Sequence, residues 1–314
     1  MNVRVYRNGG IVVEAGGKKL LLDPTGIPDT KPDLVFVSHA HSDHCRPSVL
    51  RALRGVPKVM SPATRDLVDP RRRLDSVVAV NVGEEVEVAG LQLEVHEAGH
   101  VIGSLQLRFD AGATVVYTGD FNLERRVVMR PAPVLKADVL VIDATYGHHR
   151  YTFPPRPQLY RAVVQAVREA VEEGRGLTLA ARTLGTGQEL TALLSLVAKV
   201  VPFVEERIAE KNRVYEKYGE VLGEYAVHSV RPPQGAIAIV PLSSNHPGAV
   251  PCTGWAVKGG IPLSSHADFS DLLRYVVESR ANVVYTFSSF AGIFAGYISR
   301  EMGVEAHALL ERVR

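Results

Sequence analysis

Cysteine is nearly absent: the 314 residues hold two, Cys45 and Cys252, in no CxxC pattern. That scarcity excludes a disulfide framework and fits a reducing cytoplasm. No apolar run reaches the roughly 18 residues of a membrane span, and the opening MNVRVYRNGG lacks the apolar stretch of a signal peptide. A cytoplasmic protein with no membrane partner is therefore expected. Charge of one sign is lacking as well. Thirty-six basic residues against 34 acidic ones leave +2, so any nucleic-acid footprint must be a local patch. No internal repeat or low-complexity tail is visible. A hydrophobic content of 46% with 22% charged residues is ordinary for a globular chain, and the length suits one large domain with an insertion, or two domains.

The chain does hold a series of short strand-like runs over its first 145 or so residues, among them IVVEA, KLLLD, DLVFVS, LQLEVHEAG, ATVVYTGD and ADVLVIDATYG. Turn signals such as NGG and AGG separate them. SVLRALRG reads as a short helix capped by Ser48. Near residue 155 the pattern becomes alternating strand and helix, with RPQLYRAVVQAVREAVEEG amphipathic, GTGQELTALLSLVAKV helical, and PFVEERIAEKNRVYEKYGEVL helical. Strand, helix, strand, helix close the chain. Early sheets followed by interspersed helices imply sheets packed face to face with helices outside.

The dense chemistry lies in FVSHAHSDHCRP. His39, His41 and Asp43 are spaced by two, so extended backbone projects them to one side; His44 joins them once the chain turns. Imidazole nitrogens and a carboxylate are the ligand set for zinc and similar divalent ions, and four such groups can feed two adjacent metal positions. His100, in a turn flanked by Gly99 and Gly103, and Asp120, at a strand end after Gly119, would complete a site.

HAHSDH, AGHVIGS and YTGDF, with DPTG at Asp23, resemble the successive motifs of the metallo-β-lactamase superfamily. VIDATYG, LGTGQEL and PLSSHADF resemble the added motifs of its β-CASP nuclease branch, most of all the ligase-associated exonuclease-like and mRNA 3′-end-processing-factor-like proteins. The resemblance covers most of the chain, residues 200 to 245 least. It implies a four-layer αβ/βα sandwich from residues 1–155 and 260–314, with a smaller α/β cap inserted at 156–259 and the active site in the cleft between them. It implies zinc bound by His39, His41 and His100 with Asp120 bridging, and a second position served by Asp43, His44 and Asp120. His266 matches the histidine expected near the scissile phosphate, and Asp143 the carboxylate that orients it. Catalytic roles would thus fall on Asp43, Asp120, Asp143 and His266.

One position departs from the family pattern. Where a histidine and a glycine are expected, the chain has Phe287 and Ser288, and phenylalanine cannot coordinate a metal. One firmly bound zinc and a weak second site are expected, with manganese as a further candidate ion; His246 and Ser288 are formal substitutes for the missing ligand. Arg71–Arg73, Arg125, Arg126, Arg130, His148 and Arg150 could face a phosphate backbone. Helix-start N–H groups at Gly185, Thr186 and Gly187 could do the same. The resulting expectation is a metal-dependent nuclease, an exonuclease on DNA in preference to an RNA-processing enzyme, acting on single-stranded or end-bound nucleic acid. A small-molecule ester or thioester hydrolase and a non-catalytic nucleic-acid-binding relative stay open, and so does the oligomeric state.

Overall fold

The structure, a computed structural model, describes residues 3–310. The chain clusters into two compact units. In the first, β1 (Arg4–Arg7), β2 (Ile11–Ala15), β3 (Lys18–Leu22), β4 (Leu34–Phe36), β5 (Lys58–Met60) and β6 (Val77–Ala79) form a six-stranded sheet in sequence order. A seven-stranded sheet is built from β7 (Glu85–Val88), β8 (Leu91–Glu97), β9 (Leu105–Asp110), β10 (Thr114–Tyr117) and β11 (Val139–Asp143). Two strands from the far end of the chain, β17 (Val283–Phe287) and β18 (Glu305–Ala308), complete it in the order β18-β17-β11-β10-β9-β8-β7.

Alternation along each strand sorts side chains to two sides. Val13, Leu20, Leu22, Leu34 and Phe36 of one sheet meet Val95, Leu107, Val115, Tyr117 and Val141 of the other in a single core. The opposite faces carry helices. Val12, Leu21 and Val35 pack on Val49 and Leu50 of α1 (Pro47–Ala52) and Val68 of α2 (Pro62–Val68). Val116, Leu140 and Ile142 pack on Leu272, Tyr275 and Val276 of α6 (Phe269–Ser279) and Phe294 of α7 (Ala291–Tyr297). The result is the expected helix–sheet–sheet–helix layering.

The second unit gathers Tyr151–Ser265 and Glu124–Arg130. Its five-stranded sheet runs β14 (Ala226–His228), β13 (Phe203–Glu205), β15 (Ile237–Pro241), β12 (Leu177–Ala181), β16 (Val250–Pro251), all neighbours parallel. Around it lie α3 (Arg156–Glu172), α4 (Thr186–Ala192) and α5 (Glu206–Lys217). Leu159, Val163 and Val167 recur at helical spacing along α3 and bury against Leu179, Leu190 and Ile239; this is the stripe the sequence shows.

Two local readings need correction. Helix α1 starts at Pro47 with Arg46 at its N-cap, so Ser48 is inside the helix; proline at the first helical position overrides the serine. PFVEERIAEKNRVYEKYGEVL opens as strand β13, and α5 is capped by the Glu205 side chain, which accepts from Arg207 N–H. The Glu124–Arg130 segment groups with the second unit because Glu124 and Arg126 pair with Arg156 (3.1 Å) and Glu189 (3.0 Å).

Candidate metal and catalytic centre

The site is built at strand ends of the first unit. Strand β3 ends at Leu22, and Asp23 follows with φ of 48°, a left-handed conformation that aspartate tolerates better than most residues. Its buried carboxylate gathers four donors. Oδ1 accepts from Ser38 N–H (2.7 Å), and Oδ2 from Ser38 Oγ–H (2.5 Å), Tyr117 O–H (2.7 Å) and His44 Nδ1–H (2.7 Å).

These bonds fix the histidines. Because Ser38 gives its proton to Asp23, its lone pair faces His39 Nδ1 at 2.9 Å, which places the imidazole proton on Nδ1 and turns Nε2 to the interior. His39 Nε2 lies 3.0 Å from His41 Nδ1, and His100 Nε2 lies 3.1 Å from the same atom. Asp120 Oδ2 stands 3.5 Å from both His39 Nε2 and His100 Nε2. Asp120 reaches this point through Gly119, at φ of 54°, where an added Cβ would stand 2.6 Å from Ser38 Cβ. His100 is set by the turn before β9, where Ser104 Oγ accepts from His100 and Val101 N–H groups (3.1 and 3.2 Å).

The four converging atoms are chemically suited to a cation. A four-coordinate ion with metal–nitrogen bonds of about 2.0–2.1 Å spaces its ligands roughly 3.3 Å apart; the four separations just given run from 3.0 to 3.5 Å, and all the ligand atoms lie within 4.8 Å of one another. All four residues are buried, and mutually facing acceptors away from water are costly without positive charge between them. Asp120 Oδ1 is itself buried with no hydrogen-bond partner among the described residues. Facing it at 3.2 Å is His44 Nε2. Burial disfavours a protonated His44, but the Asp120 and Asp23 carboxylates outweigh it and hold the ring well above the usual histidine range.

Beside this group stand Asp143 and His266. His266 Nδ1 lies 3.1 Å from Asp143 Oδ2 and 3.7 Å from Asp120 Oδ2. Asp143 Oδ1 accepts from Thr145 N–H and Oγ–H (2.9 and 2.8 Å). Burial favours the neutral acid at Asp143, yet the bond and charge of His266 prevail and hold the carboxyl below its ordinary range. The backbone of the His266 loop is pinned to the loop after β10: Asn122 Nδ2–H donates to His266 O (2.9 Å) and Ala267 N–H to Phe121 O (2.6 Å).

His39, His41, His100 and Asp120 therefore come together, as do Asp143 and His266 with Asp120, and Asp23 and His39 with His44. Asp43 is exposed and belongs to none of these groups, because a turn over residues 42–44 breaks the alternation that put it in line with His39 and His41. Phe287 sits opposite Asp143 in the β11–β17 pairing. Its buried ring packs on Tyr117 (centroids 5.4 Å) and His44 (6.3 Å), filling with hydrocarbon the place next to His44. Ser288 adopts φ of 77°, and its side chain acts on Asp143, helping to lower that carboxyl. His246 belongs to the second unit, where its Nδ1 faces Pro247 O (3.0 Å).

Among the substrate contacts expected from sequence, Arg126 needs correction: its side chain is fully buried and paired with Glu189, which also binds Arg156 (3.2 Å) and accepts from Tyr160 O–H (2.5 Å). Gly185, Thr186 and Gly187 are buried as well. Gly185 N–H donates to Gln188 Oε1 (2.7 Å) and Gly187 N–H to Arg182 O (3.0 Å), so the chain itself takes up those amides. His148 is partly exposed and Arg150 exposed. Ser38, Tyr117 and Thr145 are the site residues that sequence reasoning missed. The available signal was a hydroxyl on each residue flanking a motif: the serine before HAHSDH, the tyrosine of YTGD, the threonine of DATYG.

The family description "Beta-lactamase superfamily domain" matches residues 11–187, over half the chain. A "Probable DNA ligase" of Opitutus terrae is 31% identical over 299 residues, 88% of this chain and 28% of that protein. "RNase aCSPSF2" of Saccharolobus solfataricus is 33% identical over 132 residues, 41% of this chain and 26% of that protein. The chain thus spans little more than a quarter of either relative. A crystal structure of a protein of unknown function from Enterococcus faecalis V583 superposes with a TM-score of 0.60, 14% identity and 99% of this chain covered, 98% of the other, a likeness of fold. No helix among the described residues is long and apolar enough to cross a membrane. With the motif residues assembled at the strand ends of a two-sheet sandwich, the chain belongs to the metallo-β-lactamase superfamily, in its β-CASP branch.

Proposed function

We propose that this protein is a metal-dependent nuclease that hydrolyses phosphodiester bonds, with residues 156–259 as its β-CASP cap. The observation that carries the reading is the buried convergence of His39, His41, His100 and Asp120 beside the His266–Asp143 pair. His39, His41, His100 and Asp120 would hold the first zinc or a similar ion, and His44 with Asp120 Oδ1 a weaker second. Such an ion, when bound, supplies positive charge that acidifies water and screens the phosphate.

The remaining steps belong to the chain. Asp23, through Ser38, keeps the His39 proton on Nδ1 and Nε2 available. Asp143 holds Nδ1–H of His266, which leaves Nε2 as the nitrogen that hands a proton to the departing oxygen. Thr145 saturates the other oxygen of Asp143, so the carboxylate cannot rotate away from the imidazole. DNA is the preferred substrate, supported by the "Probable DNA ligase" relative that aligns over 88% of the chain; RNA follows, supported by the relative named as an RNase.

The test uses end-labelled single- and double-stranded DNA and RNA, with wild type, chelator-treated protein and Asp120→Ala. Cleavage that chelation and Asp120→Ala both abolish is expected, with product lengths separating exonuclease from endonuclease. Equal cleavage by wild type and Asp120→Ala would mark a contaminant and end the reading. Turnover of simple thioesters with none of oligonucleotides would replace it with a small-molecule hydrolase.

A further inference from the structure

The turn after β11 and the end of β17 carry side chains that the chemistry above does not use. The rings of His148 and His149 lie 4.3 Å apart, 30° from parallel. His148 stands 5.7 Å from the ring of Phe290, and the Arg150 guanidinium lies 5.3 Å over that same ring. His149 and Arg150 are exposed, His148 and Phe290 partly so. The four form one continuous aromatic and cationic surface on the first unit.

Backbone bonds tie this surface to the reacting groups. Phe290 N–H donates to Ala144 O (3.0 Å), one residue beyond Asp143. Tyr146, in the same turn, meets His266 edge-on with centroids 5.8 Å apart at 87°. Gly147 lets the turn lie close on α7, since an added Cβ would stand 2.7 Å from Phe294 Cβ. The patch is therefore joined to the Asp143–His266 pair through Ala144, which Phe290 bonds, and through Tyr146, whose carbonyl accepts from His148 N–H (2.8 Å).

Water-facing rings with a guanidinium among them suit one class of partner. A nucleobase offers a π-face to stack on such rings whatever its identity, and its phosphate attracts the cation. A base inside a duplex already has both faces covered, so only an unpaired one can use the surface. We propose that Phe290, His148, His149 and Arg150 form a stacking platform for an unpaired base next to the scissile phosphate, which makes single-stranded nucleic acid the substrate class. The proposal rests on the nuclease reading for its scissile phosphate; the platform itself is tested by binding.

The experiment uses single-stranded oligonucleotides carrying one fluorescent aminopurine, moved stepwise along the strand. These are mixed with chelator-treated wild type, Phe290→Leu and His149→Ala, and cleavage is followed separately with metal present. At one position wild type should quench the aminopurine, both variants should lose that quenching, and their KM for the strand should rise roughly tenfold while kcat holds. Wild-type binding without quenching at any position overturns the platform, as does unchanged quenching in both variants, and so does failure to bind. Cleavage without quenching leaves the nuclease standing and removes the platform. Quenching without cleavage keeps the platform and removes the nuclease.

Discussion

Replacing Phe287 by histidine should add a metal ligand at a cost in stability that the metal then offsets. The Phe287 ring is 2% exposed and packed on Tyr117 and His44. Burying such a side chain contributes about 1.5–3 kcal/mol, and an unpaired imidazole N–H in its place costs about 1–3 kcal/mol. Metal-free Phe287→His is therefore expected to be roughly 3–5 kcal/mol less stable than wild type. At about 2–4 °C per kcal/mol for a unit of this size, Tm falls by on the order of 10 °C. With His44 Nε2 and Asp120 Oδ1 already facing each other at 3.2 Å, the new nitrogen gives the second position a third protein ligand. Metal at 100 times its Kd returns about 2.7 kcal/mol, most of the loss. The assay is paired thermal melts with and without zinc, plus metal content after dialysis. The variant should retain one more equivalent than wild type and show the larger zinc-dependent rise in Tm. Equal metal content and equal rises would refute the argument that Phe287 occupies the place of a ligand.

Other outcomes follow from the same geometry. Glu189→Ala removes the carboxylate shared by two buried arginines, Arg126 and Arg156, while Arg156 keeps Glu124, and should cost about 3 kcal/mol in denaturant unfolding. Lys199→Gly relieves a φ of 60° at the exposed end of the helical segment Leu193–Ala198 and should raise stability by about 1 kcal/mol, read as a shift in denaturation midpoint. Because Asp143 is held below its usual range by His266, its stabilisation is present above the unfolded carboxyl value and lost as pH falls through the lower folded one. Metal-free Asp143→Asn should therefore lose less stability than wild type across that acid window in a pH series of melts. Burial pushes the Cys45 thiol up and that of Cys252 to about 12, so neither should react with a thiol reagent at neutral pH until the protein unfolds.

The candidate metal ligands that converge in the fold were the most legible part of the sequence because chemistry and spacing coincide there. His39 and His41 alternate off a buried strand, and His100 and Asp120 each follow another. Asp43 obeys the same count of two, but the chain turns at residues 42–44, and spacing carries no information about where extended backbone stops. Arg126 looked open to a phosphate because its partner Glu189 lies 63 residues away, and local patterning cannot see a contact that only the folded second unit makes. Gly185 and Gly187 resembled an open helix start for a similar reason: the Gln188 side chain and the Arg182 carbonyl take the amides. The layered sandwich was readable from strand order, while strand β13 hid inside a helical-looking stretch because three residues are too few to show a period.

Asp23 accepts at once from Ser38, from Tyr117 of the facing sheet and from His44. A negative charge sealed at that seam is balanced through histidines whose other nitrogens wait for a cation. Packing and reactivity consequently share one anion. Stripping a cation bound there should loosen the seam as well as end the proposed cleavage, with amide exchange rising first at Leu22, Ser38 and Tyr117. A change that tunes reactivity there also alters how tightly the two sheets hold together.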